Sequence, residues 1–241
     1  MSQYRADLAT GADRAQHQTA APIQRVAELK RVFDGQKGVA VIRQTHIRSP
    51  FATALTALLA ILSALPAFAS LQSGVLAPDF TAPASLAGKT FSFSLKTALL
   101  NGPVVVYFYP SAFTGGCNIQ AHEFAVNREK FTAVGASIIG VSLDSIDRLN
   151  DFSADPAYCA GKIPVASDVD GKIAKSYDLK VLEAKSGMKD SRGVEINHGF
   201  AERTTFIMTQ DGRIFATIGG VVSEANVDQA LLAVKRLTGR N

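Results

Sequence analysis

The chain has no tryptophan and only two cysteines, Cys117 and Cys159. Two cysteines cannot build a disulfide-dense scaffold or a cysteine-rich structural zinc site. Internal repeats and low-complexity segments are also missing, which excludes solenoid, collagen-like and wholly disordered classes. A charge excess is absent from most of the chain. The net +4 arises entirely before Ser70, because residues 70–241 carry 17 basic and 17 acidic side chains. Despite the basic isoelectric point, that neutral portion gives no electrostatic motive for a nucleic-acid partner. What is present is apolar material, 47% of 241 residues, sufficient for one well-formed core.

No charged residue occurs between Ser49 and Pro78. Arg43 and Arg48 precede an apolar run from Phe51 to Leu65, followed by Pro66 and Ala67-Phe68-Ala69. A basic flank, an apolar stretch, a helix breaker and an A-x-A site are the parts of a secretory signal peptide. Residues 41–69 are therefore read as an export signal cleaved after Ala69, giving a periplasmic protein. The rival reading is a membrane anchor over residues 51–69, for which the run is short. Residues 1–40 read as a poorly structured extension, with Val41 an alternative, GTG-encoded start that would give the signal a conventional length.

Residues 70–241 read as one domain. Phe91, Phe93 and Leu95 alternate with polar residues as in a half-buried strand. Val104–Tyr109 is a continuous run of β-formers, as expected for a strand buried on both faces. Ala121, Phe124, Phe131 and Val134 recur at helical spacing before Gly135, and Ser137–Leu143 reads as the next strand. Ile146, Leu149 and Phe152 mark a helix broken by Asp155-Pro156, with Cys159 near its end. A short strand at Ile163–Ala166 and a helix at Lys172–Tyr177 follow. Thr204–Thr209 and Arg213–Ile218 flank an Asp211-Gly212 turn, which predicts a hairpin. Ser223 is placed to cap a last helix with Val227, Leu231, Val234 and Leu237 on one stripe. The order β-α-β, then α-β-β-α, predicts an α/β, thioredoxin-like fold: a central mixed sheet flanked by helices.

Cys117 falls eight residues after the Val104–Tyr109 strand, at the turn into the next helix. Backbone N–H groups and the helix dipole there favour a thiolate. The bland alternative is a small buried hydrophobe. The four histidines, His17, His46, His122 and His198, show no metal spacing, and no phosphate-binding loop occurs, so neither a metal nor a cofactor is expected.

The segment Val104–Phe124 resembles the active-site segment of the peroxiredoxins, with Pro110, Thr114 and Cys117 matching the pattern Pro-x-x-x-Thr-x-x-Cys. Ala77-Pro78-Asp79-Phe80 is similar to the family's entry motif, Ser167–Tyr177 to the segment between the site motifs, and Arg203-Thr-Thr-Phe-Ile to the strand bearing its arginine. The pattern is most similar to the bacterioferritin-comigratory, PrxQ-like group. The resemblance implies a thiol-dependent peroxidase for hydrogen peroxide and organic hydroperoxides, active in antioxidant defence. It would pass through a cysteine sulfenic acid and be recharged by a thioredoxin-like or other thiol reductant. Cys117 would be the peroxidatic nucleophile, Arg203 a fixed positive charge, Thr114 a hydroxyl for the peroxide, and Pro110 a shield against water. Tyr109 and Phe113 would wall the pocket.

Many members of that group carry a second cysteine five residues after the first, where this chain has His122. Cys159 is thus the one candidate for a resolving thiol forming an intramolecular disulfide; without it the enzyme would be of the one-cysteine type. A monomer and a homodimer both remain open. Two rival readings on the same fold are a thiol–disulfide oxidoreductase, which lacks its Cys-x-x-Cys pair here, and a redox-inert binding module.

Overall fold

The computed structural model describes residues 70–240. The expected extension at 1–40 and export signal at 41–69 lie outside the described residues.

Val104–Phe108, strand β3, is the hub. Its β-branched and aromatic side chains alternate between two cores: Val105 and Tyr107 enter one, while Val104, Val106 and Phe108 enter the other. On one flank β3 pairs in parallel with β4 (Ser137–Ser142), Val104 opposite Ser137. On the other it pairs antiparallel with β8 (Thr204–Met208), Val104 opposite Met208. Further strands complete a mixed seven-stranded sheet in the order β2-β1-β5-β4-β3-β8-β9. They are β1 (Thr81–Leu86), β2 (Lys89–Ser94), β5 (Val165–Ser167) and β9 (Ile214–Gly219). A separate two-stranded pair joins β6 (Val181–Leu182) to β7 (Phe200–Ala201).

The helices are α1 (Leu95–Leu99), α2 (Gly115–Ala133), α3 (Ile146–Ala154), α4 (Lys172–Ser176) and α5 (Ser223–Thr238). Helices α2, α3 and α5 contribute Phe124, Phe152 and Val234 to the core that holds both cysteines. Leu95, Ala174 and Tyr177 close the opposite core. This is the thioredoxin-like mixed sheet flanked by helices that the order of patterns predicts.

Several local readings need correction. Leu95 belongs to α1 and not to a strand: Ser94 caps that helix by accepting from Thr97 N–H at 3.3 Å. β1 escapes a pattern reading because Thr-Ala-Pro-Ala-Ser-Leu has few β-formers. Tertiary pairing makes it a strand, with β5 joining only after Pro83, at Ala84 and Ser85. Ser223 is the first residue of α5, whose N-cap is Val222, and its hydroxyl donates to Gly116 O at 2.6 Å. Cys159 is not on α3, which ends at Ala154, but in the turns that follow. The Asp211-Gly212 turn forms as expected between β8 and β9, with Gly212 at φ 83°.

Candidate active site

Cys117 is the third residue of α2, in its first turn, and is 2% exposed. Thr114 occupies the N-cap position with extended backbone, yet its side chain makes no capping bond. Its hydroxyl instead donates to Ser111 O at 2.7 Å, which leaves the oxygen's lone pairs able to accept another hydrogen. Helix capping is thus not the side chain's role. Pro110 opens the same loop, between β3 and α2.

Arg203 precedes β8, the strand beside β3, and so arrives at the head of α2. Its Nη2 donates to Cys117 Sγ at 3.2 Å. Its Nη1 donates to Gln120 Oε1. An ion pair with Glu202 or Glu195, the ordinary alternative for this arginine, is not among the described ion pairs. The approach depends on Gly116: a Cβ there would sit 3.3 Å from Arg203 Nη2 and 3.1 Å from Ser223 Oγ.

Gln120 is a site residue that sequence reasoning missed. Its Nε2 donates to Asn226 Oδ1 at 2.9 Å, Thr205 Oγ1 donates to the same oxygen at 2.6 Å, and Asn226 Nδ2 donates to Ile218 O at 3.2 Å. All three polar side chains are fully buried. The relay locks the arginine's second prong to α5 and to the sheet. The available signal was Gln120 one helical turn after Cys117; Asn226 is distant in sequence.

A second cluster, also missed, holds the loop from below. Asp144 follows β4 and is fully buried. It accepts from Ser111 Oγ at 3.0 Å and Ala112 N–H at 2.8 Å, both in the Cys117 loop. Ser142 Oγ, Arg148 Nε and His198 Nε2 complete its partners at 2.7, 2.7 and 2.9 Å. Burial works to raise the Asp144 carboxyl, but the hydrogen bond and charge of His198, with the Ala112 and Ser142 donors, hold it below 3.8. Burial works to lower His198, yet Asp144 and the Gly199 carbonyl hold it above 6.5. Both ring nitrogens face acceptors, Nδ1 toward Gly199 O at 2.8 Å and Nε2 toward Asp144, which is the pattern of an imidazolium.

Tyr109 and Phe113 are each 1% exposed and pack within the core instead of walling an opening. His122 Nδ1 lies 3.2 Å from Ala157 O, over the turns that carry Cys159. Cys159 is fully buried in the same core as Cys117, both thiols are free, and burial, reinforced by Asp155, pushes its thiol well up.

A buried thiol at a helix start with a guanidinium on its sulfur is equipped to attack an electrophile and stabilise the resulting charge. Comparison with known proteins narrows that chemistry. The model of the AhpC/TSA family matches residues 73–217. The chain belongs to the AhpC/TSA family, the peroxiredoxins. Among its relatives is peroxiredoxin Bcp of Xanthomonas campestris, 30% identical over 159 residues, or 66% of this chain and 91% of that protein. Peroxidoxin BcpB of Mycobacterium tuberculosis superposes with a TM-score of 0.58 at 26% identity, covering 69% of this chain and 98% of that one. Peroxiredoxin Q of Xanthomonas campestris gives 0.51 at 28% identity, over 65% and 90%. As a peroxiredoxin with Bcp and PrxQ proteins among its relatives, the protein is a thiol-dependent peroxidase.

Proposed function

We propose that Cys117 is the peroxidatic cysteine, with Arg203, Thr114 and Pro110 completing the site, and that Cys159 resolves the oxidised form. The contact of Arg203 Nη2 with Cys117 Sγ at 3.2 Å carries the reading. A guanidinium at that distance sets a fixed positive charge beside the sulfur and is placed to donate to the bound peroxide. The Thr114 hydroxyl, already donating to Ser111 O, accepts from the peroxide O–H. Pro110 presents a ring without an N–H and limits water around the sulfur.

The thiolate attacks the terminal oxygen of R–O–OH. An S–O bond forms, the O–O bond breaks, and the alkoxide takes a proton from solvent to leave as alcohol, or as water when the substrate is hydrogen peroxide. Cys117 is left as sulfenic acid. The Cys159 thiol then attacks that sulfur, forming the disulfide and releasing water. An external thioredoxin-like dithiol reduces the disulfide and is itself oxidised. The buried, pushed-up Cys159 thiol requires its segment to open before this second step.

The protein is read as exported, with residues 41–69 as the signal and cleavage after Ala69; the apolar run and the Ala67-Phe68-Ala69 site support this. Retention through residues 51–69 is the competing outcome, and N-terminal sequencing of the protein from the periplasmic fraction separates the two.

Intact mass after one equivalent of hydrogen peroxide tests the chemistry. Wild type should become two mass units lighter, as the intramolecular disulfide. Cys159→Ser should gain oxygen instead, with an unchanged first turnover. Cys117→Ser should consume no peroxide while remaining folded. Turnover in Cys117→Ser would falsify the assignment, and identical products from wild type and Cys159→Ser would make the enzyme one-cysteine.

A further inference from the structure

Phe113 stands immediately before Thr114 with φ 60°, in the left-handed region that a bulky side chain rarely occupies. Something outside the loop must hold it there. Its ring packs edge-on against Phe152 at 5.0 Å and against Tyr158 at 5.7 Å between centroids, and Tyr158 is the neighbour of Cys159. One aromatic ring therefore joins the Cys117 loop to the segment carrying the other thiol.

A tight loop between β6 and β7 covers that ring. Met188 and Ile196 are bridged by Ile196 N–H donating to Met188 O at 2.8 Å, and the tip is Asp190–Arg192. Ser191 N–H donates to Phe113 O at 2.8 Å. The Arg192 guanidinium lies over the Phe113 ring, 3.3 Å from its centroid. Asp190, with a buried carboxylate, pairs with Arg192 at 3.2 Å and with Arg148 at 2.9 Å. Arg148 in turn donates to Ala112 O at 2.9 Å, the residue before Phe113. Backbone and ring of the strained residue are thus gripped from a single tip.

We propose that the Asp190–Arg192 tip is a clamp that positions Phe113, and with it Thr114 and Cys117, for the peroxide step, and that its release limits how fast Cys159 captures the sulfenic acid. Arg192 and Asp190 are positioning residues; neither touches the sulfur. While the clamp is closed, Phe113 fixes Tyr158 and the Cys159 segment in the core. When it opens, the left-handed residue relaxes and the two thiols' segments become free to meet. The second half of the proposal rests on the reading of Cys159 as the resolving thiol.

The test uses the full chain, reduced, mixed with hydrogen peroxide, quenched at intervals and weighed. Arg192→Ala should slow loss of the Cys117 thiol and speed appearance of the disulfide, each by roughly three- to tenfold, the range of a partly exposed cation–π contact. Its sulfinic product at high peroxide should fall accordingly. Arg192→Lys, which keeps a charge but not the flat guanidinium, should lie between, and it supplies the reading if the alanine variant does not fold. A merely structural tip would lower the urea midpoint without driving the two rates in opposite directions. Both rates unchanged in Arg192→Ala overturn the clamp. If wild type and Cys159→Ser form sulfinic acid alike, it is the resolving reading that fails. The clamp is then judged on the peroxide step alone, where a slower step in Arg192→Ala upholds it and an unchanged one overturns it.

Discussion

A single missing side chain lets the arginine reach the sulfur. Gly116 leaves room for Arg203 Nη2 and Ser223 Oγ, which an added methyl would meet at 3.3 and 3.1 Å. The arginine head is the flexible end of a long side chain, so it is the part that yields. Gly116→Ala should therefore separate activity from stability. The unfolding free energy should stay within about 1 kcal/mol, since alanine is the better helix former. The second-order rate with peroxide should fall roughly three- to tenfold as the donor is displaced from the sulfur. Stopped-flow measurement at equal fold stability checks this; an unchanged rate means that Arg203 tolerates the methyl group. Arg203→Lys makes the complementary test. Lysine keeps the charge but cannot serve sulfur and Gln120 with two prongs at once. The same rate should drop by tenfold or more, and a wild-type rate would remove Arg203 from the site.

Elements matter through what they bring together. α2, α5 and β8 meet at Asn226, a buried amide bonded to Gln120, Thr205 and the Ile218 carbonyl. Replacing it with alanine leaves two side chains and one carbonyl without their partner in the core. The expected loss is about 2–4 kcal/mol, from orphaned polar groups and lost packing. It should be accompanied by slower peroxide reduction, because Gln120 no longer holds the arginine. Urea unfolding monitored by far-UV circular dichroism reads the first effect; a loss below about 0.5 kcal/mol would mean that the amide is not structural. Of this relay only the place of Gln120, one helical turn after Cys117, was visible in the sequence. Cys117, Thr114, Pro110 and Arg203 lie in short segments of recognisable spacing. Gln120 and Asn226 are 106 positions apart and follow no local pattern. Asp144 and His198 were missed for the same reason, being 54 positions apart.

At the scale of the whole molecule, the Asp144–His198 pair ties the end of β4 to the approach to β7, and it makes stability depend on pH in a definite sense. His198 is held above 6.5, so the folded protein binds this proton more tightly than the unfolded chain does. Its contribution is fully present below about pH 6.5 and is lost as pH rises through the folded value. Asp144 is held below 3.8, so its contribution is present above about pH 3.8 and is lost as pH falls through its depressed folded value. The urea midpoint of wild type should therefore decline as pH rises from 6 toward 9. His198→Gln should be less stable at pH 6, and its own midpoint should change less over that interval. Parallel pH curves for the two proteins would show that the pair does not titrate in this way.

Composition and patterning determined the class of fold and the place of Cys117 at a strand-to-helix turn. An uninterrupted β-forming run must be buried on both faces, so Val104–Phe108 had to be a central strand. A cysteine at a fixed offset past such a strand had to stand at a helix start. Those are local consequences of side-chain period and backbone geometry, and they survive in any compact arrangement of the chain. The tertiary structure alone decided the rest. It made a strand of Thr81–Leu86, whose residues have little preference for one, because pairing with β2 and β5 outweighs propensity. It carried Ser223 away from capping its own helix and onto Gly116 O. It placed Arg192 on Phe113, and Asp144 beneath Ser111 and Ala112. Contacts between distant segments depend on which strands neighbour one another, and that order is set by the burial of the whole sheet, not by any window of the sequence.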